Sequence, residues 1–379
     1  MSEVYVIGTD MIRFGRFPER TVEDLGAEAA LLALADAGLT VREMQAVYCG
    51  NLWQANGAVG QRIMKQIGQT GVPVVNTANA CATGATAFRE GWIAVKAGLY
   101  DLVLCIGAEQ MPRGLLGQPR EYAGIPIEGL LGSATMPASF ATLGMEHTRR
   151  YGTTFEQFAK VSVKNHHHAT FNPKAMYRTE TPLAQVMDSE MIAYPLTKLM
   201  CSVNVDGAAA AVICSQRKAR ELGLARAVRV RASILTSDPY TPQNFAYLDF
   251  NAVTRLAAGQ AYEAAGVGPQ ELDLVELHDC FATAELVHYE NLGLCADGEA
   301  GALIDSGATA LGGRLPVNAS GGLLSKGHPL GATGIANIYE VTTQLRGEAG
   351  ARQVEGARIG LTHVVGAGSA CVIHILEKA

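Results

Sequence analysis

Stretches of this chain repeat one another in the same order, and that restricts the fold to one built from two like halves. Ala37-Gly38-Leu39 followed by Glu43-Met44-Gln45-Ala46-Val47 is matched by Ala265-Gly266-Val267 followed by Glu271-Leu272-Asp273-Leu274-Val275. Cys81-Ala82-Thr83-Gly84 is matched by Gly331-Ala332-Thr333-Gly334, and Asp206-Gly207 with its apolar run by Gly368-Ser369 with Ala370 to Leu376. Three matches in one order indicate a duplicated domain. Within the first half strands alternate with helices. Val4 to Ile7 and Ala46 to Cys49 read as strands. Thr21 to Ala37 reads as a helix, with Thr21 and Asp24 at its start and Gly38 as its stop. The apolar run Asp101 to Gly107 reads as a buried parallel strand. Such alternation predicts an α/β layered fold. A duplication then places the two Ala-Thr-Gly helix starts near a pseudo-two-fold axis, facing one site.

The chain of 379 residues has room for two or three domains, and 48% hydrophobic with 17% charged residues is a globular composition. A net charge of -6 does not suggest a nucleic-acid partner. No secretory signal opens the sequence, and no apolar run reaches the roughly 20 residues of a membrane span. The eight cysteines form no Cys-x-x-Cys pair, so reduced thiols in a cytoplasmic protein, with no metal site, are expected. From Met111 to about Met191 Gly, Pro and Met become frequent, which predicts an inserted loop domain over the core. Within it, Thr153 with Glu156 reads as a capping box before a helix over Phe155 to His168. His166-His167-His168 reads as cations at that helix's C-terminus, and Lys65, Arg149 and Arg150 as solvated surface.

Four blocks carry chemistry. Cys81 stands where the extended run Pro73-Val74-Val75 gives way to the helix-like Ala85 to Ala97. A helix start offers free N–H groups and a positive dipole end, which favour a thiolate nucleophile. Glu276-Leu277-His278-Asp279-Cys280-Phe281 follows a strand at Leu272 to Leu277 and puts titratable groups and a thiol at a strand end. Asn318 to Gly334 presents His328 on a Gly-rich turn stiffened by Pro329, as a general base requires. Val365-Gly366-Ala367-Gly368-Ser369 is a turn able to aim N–H groups at an anion. Each block alone also suits a structural role: a small buried Cys, a satisfied His, a plain hairpin.

Together the four blocks resemble the thiolase family over essentially the whole chain. His278-Asp279-Cys280-Phe281 resembles the sterol-carrier-protein-type thiolases and related acetyl-CoA acetyltransferases. The resemblance implies the thiolase fold, a duplicated five-layered α/β/α/β/α core with a loop domain. Its parts map to residues 1–110 and 192–235 for the N-terminal half, 111–191 for the loop domain and 236–379 for the C-terminal half. It implies thiolysis of a 3-ketoacyl-CoA through an acyl group on Cys81, with coenzyme A as co-substrate and no permanently bound cofactor. His328 would activate Cys81, and His278 with His328 would hold the enolate oxygen. The N–H groups of Cys81 and Gly368 would hold the oxyanion. The common family pattern Cys-x-Gly is replaced here by Gly366-Ala367-Gly368, so Cys280, not Cys371, would be the acid/base thiol. The resemblance also leaves open the reverse Claisen condensation and an aldolase-type or scaffold role. It implies a homodimer or tetramer, and a small zinc-ribbon/OB-fold partner in some relatives. For the dimer, Asp101 to Gly107 is expected at a sheet edge.

Overall fold

The computed structural model describes residues 2–112, 135–223, 225–241, 249–367 and 370–379. One nine-stranded sheet organises it, in the order β3-β2-β4-β7-β1-β8-β11-β10-β9. The strands are β1 Val4–Met11, β2 Ala46–Gly50, β3 Val74–Thr77, β4 Leu102–Glu109, β7 Gly207–Ser215, β8 Val228–Thr236, β9 Leu274–Glu276, β10 Ile359–Gly366 and β11 Ala370–Lys378, with a hairpin of β5 Met191–Ala193 and β6 Leu196–Thr197 apart. The joint between β1 and β8 is only two residue pairs long, and on either side of it the pattern repeats. β2 is parallel to β4 as β9 is to β10, and β4 is antiparallel to β7 as β10 is to β11. β3 lies parallel to β2, and its counterpart is reduced to the single parallel bridge between Val275 and Val317. The duplication expected from the sequence is therefore present.

Helices α1 Val22–Asp36, α2 Val59–Ile67, α3 Thr83–Lys96, α4 Met136–Tyr151, α5 Phe155–Thr170, α6 Phe250–Ala265, α7 Ala282–Asn291 and α8 Leu330–Arg346 pack around this sheet. α3 and α8 start the two Ala-Thr-Gly repeats and pack on each other in the middle layer, each touching strands of both halves. α1 covers the first half from outside and α6 the second, which makes five layers. The repeated glycines explain the approach. A Cβ on Gly84 would stand 2.4 Å from the Gly331 carbonyl oxygen, and one on Gly334 would stand 2.3 Å from the Ala85 nitrogen. Only glycine lets the two helix starts meet backbone to backbone.

Local signals hold with adjustments. Thr21 and Asp24 form the capping box of α1. The box before α5 is Thr154 with Gln157, one residue later than Thr153 with Glu156, because Thr153 is buried and its hydroxyl meets the His147 ring. Asp101 to Gly107 does not form an edge. β4 lies between β2 and β7 with every residue buried, and the edge of the first half is β3. A strand apolar from Leu102 to Ala108 and buried on both faces belongs in a sheet's interior.

Candidate active site

The three catalytic-looking blocks converge from both halves. Cys81 leaves β3 through a tight turn in which Ala80 adopts a left-handed φ of 47°. That conformation is costly for a residue with a Cβ and is retained where a side chain must be aimed. Thr83 holds the turn: its hydroxyl donates to the Ala80 carbonyl (2.6 Å) and accepts from the Asn79 N–H (2.8 Å). His278 and Cys280 lie between β9 and α7. His328 precedes α8 on the turn that includes Gly322–Lys326. Cys81 Sγ and ring nitrogens of His278 and His328 all lie within 4.8 Å of one another. With Cys280 they line one cavity of about 380 Å³, walled by apolar residues such as Met136, Phe140, Phe281 and Leu324.

The imidazoles are ordered by their partners. Thr333 donates its hydroxyl to the Pro329 carbonyl (3.1 Å), so its oxygen accepts from His328 Nδ1–H (2.8 Å). This puts the proton of a neutral ring on Nδ1 and leaves Nε2 bare. The bare nitrogen faces His278 Nε2 at 3.5 Å. The His278 backbone N–H reaches His363 Nδ1 at 3.4 Å. Asp279 points away from the cavity and tethers the His328 turn. It accepts from the N–H groups of Leu323 (2.7 Å) and Leu324 (3.3 Å) and from Asn165 Nδ2 (2.8 Å). Glu109, at the end of β4, accepts from Asn51 Nδ2 (2.8 Å), the N–H groups of Leu52 (2.9 Å) and Trp53 (3.2 Å), and Gly331 N–H at the start of α8 (3.1 Å).

Burial sets the protonation states. It pushes the Cys81 thiol up to about 12, against the pull of N–H groups of Ala367 and of Cys81 itself. The helix start favours a thiolate at Cys81, and burial opposes it there and favours the thiol. Burial, aided by the Lys326 ammonium, takes His328 down to about 3. Burial and the neighbouring imidazoles take His278 well below its usual range, and burial with nearby Cys81 raises the Cys280 thiol. Thiol, thiol and two neutral imidazoles form a site that moves protons only when a substrate charge develops beside them.

Gly368 lies outside the described residues, whereas Ala367, its neighbour in the β10–β11 turn, aims its N–H at the Cys81 sulfur. Cys371 sits fully buried in β11, and burial raises its thiol. Arg149 and Arg150 are exposed and pair with Glu146. The three histidines of α5 are not a surface cluster. His166 and His168 are buried and only His167 is exposed, because a helix turns successive residues to different sides. Thr333, Asp279 and Glu109 were not singled out from sequence as site residues. The repeated Ala-Thr-Gly was the available signal for Thr333, since Thr83 plays the matching part in the first half.

A family model described as "Thiolase, N-terminal domain" matches residues 4–191, and one described as "Thiolase C-terminal domain-like" matches residues 244–378. Sterol carrier protein 2 of Homo sapiens is 39% identical over 398 residues, covering 100% of this chain and 72% of that protein. The acetyl-CoA acetyltransferase of Methanothermobacter thermautotrophicus is 39% identical, covering 100% of both chains. The benzoylsuccinyl-CoA thiolase subunit BbsB of Thauera aromatica is 37% identical, covering 97% of this chain and 95% of that one. The crystal structure of human mitochondrial 3-ketoacyl-CoA thiolase in complex with CoA superposes with a TM-score of 0.75 at 16% identity, covering 100% of this chain and 98% of that one, a likeness of fold.

Proposed function

The chain belongs to the thiolase family, and from that premise we propose that it cleaves 3-ketoacyl-CoA thioesters with coenzyme A through an acyl group on Cys81. The observation that carries this reading is the meeting of Cys81 with His278 and His328 within 4.8 Å, at a cavity that Cys280 shares. His328 Nε2 takes the Cys81 proton as sulfur attacks the 3-keto carbon. The imidazolium forms only beside the new negative charge, which offsets the burial that otherwise keeps it neutral. The N–H groups of Cys81 and Ala367, which act on the sulfur, would serve the oxyanion, with Gly368 proposed as a further donor. Cleavage leaves acyl-Cys81 and an enolate. His278 and His328 hold its oxygen between their facing Nε2 atoms, and Cys280 gives its proton to the enolate carbon. Coenzyme A then passes its thiol proton to the Cys280 thiolate and attacks the acyl group, and Cys81 recovers its proton from His328. The balance closes without a resident cofactor. One lost oxyanion donor is expected to cost about 10²- to 10³-fold in rate.

The reverse condensation uses the same groups, and the name of the Methanothermobacter relative fits that direction. The halves 1–110 with 192–235 and 236–379 would frame the site, and the loop domain 111–191 would wall it. A partner subunit is consistent with the Thauera relative, which is named as a subunit. A homodimer is consistent with β3, whose outer edge carries the exposed Val75. The test is turnover of a panel of 3-ketoacyl-CoAs by the purified protein. Cleavage of at least one, lost in Cys81→Ser, is expected. No cleavage or condensation of any member, with or without a partner subunit, would reject the reading.

A further inference from the structure

Several polar residues of the cavity wall have no part in this chemistry, among them Arg16, Lys198 and His166. His166 lines the cavity from α5 and is 4% exposed. Its Nδ1 is buried without a hydrogen-bond partner among the described residues, and its ring stacks on Tyr177, another wall residue, with centroids 6.3 Å apart. The neighbouring residues of α5 are tied into the structure, although Asn165 Oδ1 also lacks a partner among the described residues. Lys164 Nζ binds Glu285 and the Val317 carbonyl, Asn165 binds Asp279 and Glu285, and His168 receives the Leu311 N–H at 3.0 Å. Of the cavity's wall residues, His166 and the catalytic His278 carry such a buried, unpaired nitrogen among the described residues, and an idle polar atom at a cavity wall is a group awaiting a ligand, since buried polar atoms in folded proteins are nearly always paired.

We infer that His166, with Tyr177 beside it, recognises a neutral hydrogen-bonding group of the bound thioester, a hydroxyl, carbonyl or amide. This rests on the acyl-transfer reading of the cavity. Among the described residues no carboxylate is hydrogen-bonded to the ring; burial, against the weaker pull of Glu180, holds it down to about 4, so it is uncharged at neutral pH. An uncharged imidazole offers one donor and one acceptor but no countercharge. It therefore selects a neutral polar substituent over an anionic one. Two parts of the substrate carry such groups: the acyl chain, and the amides of the pantetheine arm.

His166→Phe keeps the ring and its stack and removes both nitrogens. Acylation of Cys81 is followed with three probes: a plain 3-ketoacyl-CoA, the same chain bearing a terminal hydroxyl, and a plain 3-ketoacyl thioester of a simple alkyl thiol. If the partner is on the chain, kcat/KM falls only for the hydroxylated probe, by roughly 3- to 10-fold, the size of one neutral hydrogen bond. If it is a pantetheine amide, both CoA probes fall by that factor and the alkyl thioester does not. The unliganded variant should melt at the wild-type temperature or above, because an unpaired buried nitrogen has gone; a purely structural His166 would lower it. Rates within twofold of wild type for all probes would overturn the inference. Failure of wild type itself to acylate Cys81 would instead reject the acyl-transfer reading. Should the Phe variant not fold, His166→Leu carries the same comparison.

Discussion

Cys81 is held as a thiol by a contest between two effects of different size. A helix start favours the anion by up to about 2 kcal/mol, little more than one pKa unit. Burial of an ionisable group shifts its pKa by up to several units, and here it wins, taking the thiol to about 12. The free enzyme should therefore alkylate slowly with iodoacetamide at neutral pH. The Cys81 rate should rise about tenfold per pH unit up to at least pH 10, as the thiolate fraction grows. A plateau below pH 8 would reveal a resting thiolate–imidazolium pair. Cys280 has the opposite task, for a donor must hold its proton until the enolate appears, and its raised thiol does so. Cys280→Ala is expected to slow cleavage by about 10²- to 10⁴-fold, with Cys371→Ala near wild type. A loss below tenfold in the first variant would show that another group supplies the proton.

At the scale of elements, one device serves both halves. Thr83 and Thr333 each donate to a carbonyl of the turn they follow, and Thr333 thereby fixes the tautomer of His328. Thr333→Val should cut kcat by about 10- to 100-fold through loss of that positioning, and Thr333→Ser should restore most of it. Equal activity in Val and Ser variants would assign Thr333 to packing alone. Much of this was legible beforehand: the Ala-Thr-Gly repeat announced two equivalent helix starts, and the Gly-His-Pro turn announced His328. The tether from Asp279 to Leu323 and Leu324 was not, because it joins residues 44 and 45 positions apart. Nor was the burial of His166 and His168. A helix terminus looks the same in sequence whether solvent or another loop lies beyond it.

In the whole molecule, the fold buries an unusual set of neutral imidazoles. Burial lowers seven of the nine histidines: His166, His168, His278, His288, His328, His363 and His374. An unfolded chain protonates its histidines near pH 6.5 and these folded ones do not. The unfolded state thus binds more protons as pH falls below 6.5, and each group then removes about 1.4 kcal/mol of stability per pH unit. Glu109, raised to about 7, and the raised Glu276 and Asp279 act in the opposite sense, taking protons in the fold, but three acids do not offset seven bases. Melting temperature should fall between pH 7 and pH 5; an equal or higher value at pH 5 would contradict the assignment. The same duplication that buries these groups brings Cys81 from one half against His278 and His328 from the other. The central claim is that this junction makes Cys81 the acyl carrier. Peptide mapping by mass spectrometry, after incubation with a turned-over 3-ketoacyl-CoA in the absence of free coenzyme A, tests it most directly. The account predicts the acyl mass on the peptide containing Cys81, discharged by added coenzyme A; the mass on Cys280, or no adduct from a substrate that is turned over, would contradict it.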